Sequence, residues 1–360
     1  MQPDPRLLLI TAVTFGGAAL LTPVARRVAV RRGITDRPGE NKGHTVATPY
    51  LGGVAIAICV LAGSTLLPQW KAEAVVLVAA ALLVGTIGLV DDLRTLGPLP
   101  RVAVEVVAAS IVFAAGAQAQ LGGPVVNYLV TVGWLVVMTN AFNLLDNMDG
   151  CAGIVAAVTA TGLAVAALLE GQVLVGGLAV VVAAASVGFL LHNWHPARIF
   201  MGDAGSLFLG FLLSAIALKL RFPGSHFSSI AAVILLAGLA LFDTTLVVLS
   251  RVMAHRPIQI GGVDHTSHRL QRLGMTPPLV ALVLALGTGV FVTLGILVGR
   301  DLIPPMGVLP PVAVVAVVGW FLLLRVRVYD EPATALEGDG NPPVDIAVAA
   351  IVDGLSVEPT

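Results

Sequence analysis

Charged residues are scarce in this chain: Asp, Glu, Lys and Arg make up only 11% of its 360 residues. Because a soluble domain carries about 25% of these residues, the composition excludes an ordinary soluble protein. The net charge of −1 argues against a nucleic-acid partner. The two cysteines, Cys59 and Cys151, lie in unrelated segments, which excludes a disulfide framework and a cysteine-based metal site.

Hydrophobic residues form 57% of the chain, and its mean hydropathy is +0.95. They are grouped in eleven apolar runs of about 17 to 23 residues, each long enough to cross a bilayer as a helix. Only helices satisfy every backbone group within such a segment, so we predict an all-α, polytopic integral membrane protein with about eleven transmembrane helices. The runs cover roughly residues 7–25, 50–67, 73–90, 102–118, 125–143, 152–169, 172–191, 205–220, 227–249, 277–298 and 306–324.

Most basic residues lie in the loops that follow the odd-numbered runs. The positive-inside rule then predicts an amino terminus outside the cell and a carboxyl terminus in the cytoplasm. The unusual polar segments lie on the same cytoplasmic side, so we expect five inner loops to build one site in the lipid bilayer. These segments are DRPGENKGH, DDLRTL, NLLDNMDG, HNWHPARIFMGDAGS and GGVDHTSHRL.

The character of the chain changes after Arg327. Residues 1–327 form the predicted membrane domain, whereas 328–360 contain seven acidic residues and no Lys or Arg. Since a segment of this composition buries too little apolar surface to fold, we predict an acidic and largely disordered cytoplasmic tail.

The segment NAFNLLDNMDG carries amide and carboxylate groups at helical spacing. Asn140 and Asn143 are three residues apart, as are Asp146 and Asp149, so each pair lies on roughly one helix face. Oxygen ligands of this kind suit Mg²⁺, which usually also binds substrate phosphates. The alternative is a helix end whose acids face water.

Two further acidic sites are candidates for the chemistry. Asp91 and Asp92 end the third run, where one could act as a base; the alternative is a helix cap. Asp203 stands between two glycines in FMGDAGS and could bind a metal, while Ser206 could cap the eighth helix and its free amides could favour a phosphate. The alternative for this segment is an ordinary glycine-rich turn.

The last inner loop contains His265, His268 and Arg269. Two histidines are only half of a zinc site, so phosphate recognition by imidazole and guanidinium donors is the better interpretation. Lys42 and His44 in the first inner loop could add a second basic group, although a basic inner loop is more often only a determinant of topology. Together the groups predict phosphoryl transfer, in which catalysis is largely positioning and charge neutralisation.

The ordered motifs resemble those of the polyprenyl-phosphate N-acetylhexosamine-1-phosphate transferases, over residues from about 20 to 325. The similar segments are DRPGENKGH with TPYLGG, GLVDDL, NAFNLLDNMDG, PARIFMGDAGS, FDT and the histidine loop. The resemblance implies transfer of a sugar 1-phosphate from a UDP-N-acetylhexosamine to undecaprenyl or decaprenyl phosphate, with release of UMP. It also implies the cytoplasmic membrane of a bacterium, with the active site facing the cytoplasm.

The resemblance assigns roles to individual residues. Asn143 and Asp203 would bind Mg²⁺, with Mn²⁺ as a substitute. Asp91 would be the base that deprotonates the lipid phosphate, and Asp92 would assist it. The substrate-binding residues would be Lys42, His44, Asn140, Asp146, Asp149, His265, His268 and Arg269.

Two positions depart from the family pattern: Asn147 replaces a glycine, and Ser267 replaces a histidine. The loop ending in HRL favours the N-acetylglucosamine branch over the phospho-N-acetylmuramoyl-pentapeptide branch, which stays open as an alternative. A transporter that relays ions through intramembrane acids such as Glu105 and Asp243 is a further alternative. A homodimer is left open.

Overall fold

The computed structural model describes residues 5–36, 47–68, 72–94, 96–258 and 261–329. The first seven helices are α1 (Pro5–Arg32), α2 (Gly52–Thr65), α3 (Ala72–Arg94), α4 (Pro98–Ala114), α5 (Pro124–Leu145), α6 (Cys151–Leu169) and α7 (Val173–Asn193). They are followed by α8 (Asp203–Lys219), α9 (His226–Leu236), α10 (Gly238–Met253), α11 (Thr266–Arg272), α12 (Pro277–Gly299) and α13 (Pro305–Leu324). The predicted tail lies outside the described residues from position 330 onward.

The all-α, multi-pass membrane architecture is confirmed. Seven helices of the described chain are long and apolar enough to cross a bilayer, and the pair α9 and α10 would make an eighth. Every one of the eleven apolar runs contains a helix, but α2, with 14 residues, and α4 and α8, with 17 each, are shorter than an ordinary span. The count of eleven crossings and the orientation of the termini therefore stay predictions.

One apolar run is not a single helix. The segment predicted at 227–249 is divided at Ala237 into α9 and α10, whose axes are bent by 65°. A Cβ atom on Gly238 would lie 2.2 Å from Cδ1 of Phe291, so the first residue of α10 is packed directly against α12. The break therefore lies where α10 packs against α12, and the hydropathy of the run does not indicate it.

Helix α8 is the centre of the bundle, and its residues from Ala204 to Leu218 are buried along the whole length. Glycines let two neighbours lie directly against its start. A Cβ atom on Gly53 of α2 would lie 2.1 Å from the nitrogen of Gly205, and one on Gly88 of α3 would lie 2.3 Å from the carbonyl oxygen of Asp203. The amino-terminal ends of α2 and α8 and the carboxyl-terminal end of α3 therefore meet.

A small β element lies beside the start of α8 as well. Strands β1 (Thr35–Asp36) and β2 (Thr48–Pro49) pair antiparallel, and Tyr50 forms a parallel bridge with Phe200. The backbone N–H groups of Gly52 and Gly53 donate to the carbonyls of Phe200 and Met201, at 3.0 and 2.8 Å. These bonds hold the residues before α2 beside the segment that leads into α8.

Candidate active site

The carboxyl-terminal ends of α3 and α5 and the amino-terminal ends of α4 and α8 bring three predicted site residues, Asp91, Asn143 and Asp203, into one acidic cluster. Nη1 of Arg101 lies 2.7 Å from Oδ2 of Asp91 and 2.6 Å from Oδ2 of Asp203. The amide of Asn143 donates to Oδ1 of Asp203 at 2.8 Å. Residues that are up to 112 positions apart in sequence, from Asp91 to Asp203, thus share a site, as the ordered motifs predicted.

Asp92 fixes the start of α8. Its carboxylate accepts the backbone N–H of Asp203 at 2.9 Å and that of Ala204 at 3.0 Å. Tyr50 in turn donates its hydroxyl to the backbone carbonyl of Asp92 at 2.8 Å. Two of the helix-start amides that sequence reasoning offered to a phosphate are therefore already bonded to a carboxylate.

Ser206 does not cap α8, contrary to the sequence expectation. Gly202 occupies the N-cap position with φ of 72°, and no side-chain cap bond is formed there. Ser206 lies inside the helix, where its hydroxyl donates to the carbonyl of Gly202 at 3.2 Å and accepts from Asn143 at 3.0 Å. Since Asp92 reaches the helix from another element, no local sequence pattern identifies it as the cap.

The neighbours of Asn143 fix the orientation of its side-chain amide. A carboxylate oxygen of Asp203 only accepts, and the proton of the Ser206 hydroxyl is donated to Gly202, so both contacts require the NH₂ group of Asn143. Its Oδ1 atom is consequently the one left for a cation. This oxygen and the Asp203 carboxylate are hard donors of the kind that Mg²⁺ prefers.

The buried acidic groups around this point repel one another. Burial, with repulsion from Asp203 and Asp92, raises the pKa of Asp146 to about 8, so its carboxyl is mostly protonated at pH 7. A cation bound beside these groups would favour their charged forms. In the part of the chain that the structure describes, however, no three His, Cys, Asp or Glu side chains form a metal site. A cation here would depend on Asn143 and on substrate oxygens as well.

Asp91 has both carboxylate oxygens engaged. Oδ1 accepts the backbone N–H of Leu96, and Oδ2 is paired with Arg101. Oδ2 of Asp91 is therefore not free to accept a proton while Arg101 is bonded to it. A role for Asp91 in taking a proton would therefore require Arg101 to release it.

Sequence reasoning missed Arg101, which it counted only as a basic residue of an inner loop. The side chain lies in the first turn of α4, one helical turn before Glu105. Glu105 is fully buried and accepts the amide of Asn140 at 2.6 Å, while the same amide also donates to the carbonyl of Val136 at 2.9 Å. The spacing of Arg101 and Glu105 along a nearly uncharged helix is the signal that could have identified them.

Asp149 holds a loop. Its Oδ2 accepts hydrogen bonds from Nδ1 of His195 at 2.8 Å and from the backbone N–H of Ala197 at 3.0 Å. These contacts fasten the turn after α5 to the segment between α7 and α8, which leads to Asp203. Oδ2 of Asp149 therefore positions the neighbouring loop, and its contact with substrate stays a prediction.

The two residues that depart from the family pattern contact each other. Ser267 donates its hydroxyl to Oδ1 of Asn147, and the amide of Asn147 donates to the carbonyl of Leu144 at 2.7 Å. This bond joins the acidic turn after α5 to the histidine segment at the start of α11.

The two histidines differ in their surroundings. Nδ1 of His265 pairs with Oδ2 of the buried Asp243 at 3.0 Å, and the backbone N–H of Thr266 donates to Oδ1 of the same carboxylate at 2.7 Å. The ring of His268 lies 5.7 Å from that of His265, and its buried Nδ1 finds no hydrogen-bond partner among the described residues. Burial and the nearby charge of His265 lower the pKa of His268 to about 4, so this imidazole is neutral at pH 7.

Arg269 is only 1% exposed and its guanidinium is bonded within the protein, so the predicted phosphate contact, which stays a prediction, would require these bonds to break. It donates to the carbonyls of Asp264, Leu323 and Val326 and to the hydroxyl of Ser250. Arg269 thus fastens α11 to α10 and to the end of α13. Lys42 and His44 lie outside the described residues.

The amino-acid sequence is similar to those of several known proteins. The sequence profile of glycosyl transferase family 4 matches residues 74–221. A Bacillus subtilis protein named as a probable undecaprenyl-phosphate N-acetylglucosaminyl 1-phosphate transferase is 32% identical over 296 residues, covering 78% of this chain and 82% of its own. A Streptomyces coelicolor protein named only as a glycosyltransferase is 39% identical over 328 residues, covering 89% and 77%. The decaprenyl-phosphate N-acetylglucosaminephosphotransferase of Mycobacterium tuberculosis is 30% identical over 318 residues, covering 76% and 78%.

Proposed function

Because the chain belongs to glycosyl transferase family 4, we propose that it transfers N-acetylglucosamine 1-phosphate from a UDP-sugar to a polyprenyl phosphate, starting a cell-envelope polysaccharide. The observation that carries the proposal is the cluster in which Asp91, Asn143 and Asp203 lie within hydrogen-bonding reach of a shared neighbour or of each other. The relatives named for the same transfer support it.

The reaction joins two anionic phosphates. An oxygen of the polyprenyl phosphate forms a bond to the phosphorus that carries the sugar, and the bond from that phosphorus to the oxygen of UMP breaks. The products are a polyprenyl diphosphate sugar and UMP. Catalysis then consists mainly of placing the two phosphates in line and offsetting their charge.

The residues of the acidic cluster would have separate roles in this reaction. Asp203 and Oδ1 of Asn143 would hold Mg²⁺ or Mn²⁺, which when bound supplies positive charge beside the diphosphate. Asp92 keeps Asp203 in place through its bonds to the backbone at the start of α8. Asp91 would accept the proton of the lipid phosphate if Arg101 moves away from it.

The site would face the cytoplasm of a bacterium. The eleven helical regions would each cross the membrane, with the amino terminus outside and the carboxyl terminus inside. The support is the concentration of basic residues in the loops on the same side as the acidic cluster. Labelling of single cysteines placed in these loops, in intact cells and in lysed cells, tests this orientation.

UMP release by the purified full chain tests the function. UDP-N-acetylglucosamine, Mg²⁺ and undecaprenyl or decaprenyl phosphate should together yield UMP, and omission of the lipid or the metal should abolish it. A parallel reaction with UDP-N-acetylmuramoyl-pentapeptide tests the other branch of the family. Ion flux in proteoliposomes without UMP release would instead identify a transporter.

A further inference from the structure

Arg101 contacts the acidic cluster through one nitrogen of its guanidinium. Its Nη1 atom contacts both Asp91 and Asp203, whereas its buried Nε–H has no hydrogen-bond partner among the described residues. The side chain is long and flexible, so its guanidinium can turn without any movement of α4. Arg101 thus occupies a position beside Asp203 that a divalent cation would also need.

Glu105 offers a second partner for this guanidinium. It lies four residues after Arg101, on the same face of α4, and the two charges interact electrostatically. Oε2 of Glu105 accepts the amide of Asn140, but the buried Oε1 has no partner in the described parts of the chain. A buried acceptor without a partner is costly, and a buried carboxylate is stabilised by a nearby cation.

We propose that Glu105 is a positioning residue: it receives the guanidinium of Arg101 when a divalent cation takes the Asp203 carboxylate. The proposal rests on the metal site in the proposed function. In the exchange, the cation replaces the arginine at Asp203, and the arginine gains the free Oε1 atom of Glu105. Neither positive group is left buried without an anion, and Oδ2 of Asp91 loses its contact with Arg101.

Metal binding in the absence of substrate tests the exchange separately from catalysis. The affinity of the purified full chain for Mn²⁺ would be measured by electron paramagnetic resonance and for Mg²⁺ by calorimetry. The variants are Glu105→Gln, which keeps an oxygen for the amide of Asn140, Arg101→Gln, and the double variant. Glu73→Gln is the matched control, because this exposed acid pairs with Lys219 away from the acidic cluster.

Glu105→Gln should raise the metal dissociation constant at least about fivefold, which is the lower end of ordinary coupling between sites. The displaced arginine would then lack a carboxylate to receive it. Arg101→Gln should bind metal as tightly as the unmodified protein or more tightly, since the competing cation is gone. In that background, adding Glu105→Gln should change the constant by less than about twofold, within the usual limits of additivity.

Equal weakening by Glu105→Gln with and without Arg101 would overturn the proposal, because Glu105 would then act on the metal directly. Weaker metal binding by Arg101→Gln alone would overturn it as well, even if the Glu105 variant fails to fold. A protein that releases UMP but shows no metal binding that depends on Asp203 would refute the exchange and leave the transfer intact. Absence of UMP release with every donor would refute the proposed function itself.

Discussion

Replacement of Asp203 by Asn is the most direct test of the acidic cluster. Asp203 accepts from Arg101 through one oxygen, at 2.6 Å, and from Asn143 through the other, at 2.8 Å. An asparagine keeps one oxygen and gains an NH₂ group, which must face one of these two donors. A lost charged hydrogen bond of this kind costs about 1.5 to 3 kcal/mol, and the negative charge for the metal is lost too.

The effect on turnover should be larger than the effect on stability. Loss of a single group that stabilises charge in the transition state costs about 10²- to 10³-fold in rate, and loss of the metal would add to this. We expect UMP release to fall at least about a hundredfold, while membrane insertion and the elution volume on size exclusion stay unchanged. Glu73→Gln is the control, since it removes one carboxylate without touching the cluster.

Near-normal UMP release by Asp203→Asn at every Mg²⁺ concentration, including low ones, would refute the assignment of Asp203. Recovery of the rate by a higher Mg²⁺ concentration would instead show that the residue contributes to metal affinity alone.

Four further predictions use other parts of the site. Asp91→Asn should sharply lower the turnover number, and a pH profile with its acidic limb unchanged would exclude Asp91 as the base. Arg269→Gln should lower the melting temperature but leave KM for the UDP-sugar within about twofold, because its donors bond backbone carbonyls; a large rise in KM would restore the phosphate role. Ser267→Ala and Asn147→Ala should be non-additive, with a coupling of about 0.5 to 3 kcal/mol in thermal or chemical unfolding, whereas additive effects would mean that their hydrogen bond contributes nothing. His268→Gln should make the free energy of unfolding less dependent on pH in the acidic range. Because the pKa of His268 is lowered to about 4 in the folded protein, the unfolded chain binds this proton at a higher pH than the folded chain does. The free energy of unfolding of the unmodified protein therefore falls as the pH drops from about 6.5 towards 4. An unchanged slope of unfolding stability in this pH range would contradict the buried, neutral ring.

Sequence reasoning placed the helices well because hydropathy is a property of each segment. The break at Ala237 escaped it, since the packing of Gly238 against Phe291 brings together residues far apart in the chain. The family resemblance, which assigns Asn143 and Asp203 to one metal, implied that they would be close, and the two side chains are in contact. The bond between Asn143 and Ser206 follows from the same meeting of α5 and α8.

The differences between expectation and structure concern side chains whose partners lie on other elements. Arg269 was interpreted as a phosphate ligand because a charged loop residue suggests binding, yet its partners include backbone carbonyls 54 and 57 positions away. These contacts depend on how α11 and α13 pack and are not present in local spacing. Arg101 was overlooked for the opposite reason, since basic residues in inner loops have a sufficient explanation in topology, although its spacing from Glu105 could have identified it.

The glycine contacts at the start of α8 have a consequence for how this enzyme can change. Real Cβ atoms essentially never come within 3.0 Å of another heavy atom, so an alanine at position 53 or 88 would push the backbone of residues 203 to 205 out of place. The backbone of residues 203 to 205 therefore has no room for added bulk on α2 or α3 beside it. Under the proposed function, laboratory evolution towards new sugar donors should find its accessible variation in the loops around the acidic cluster.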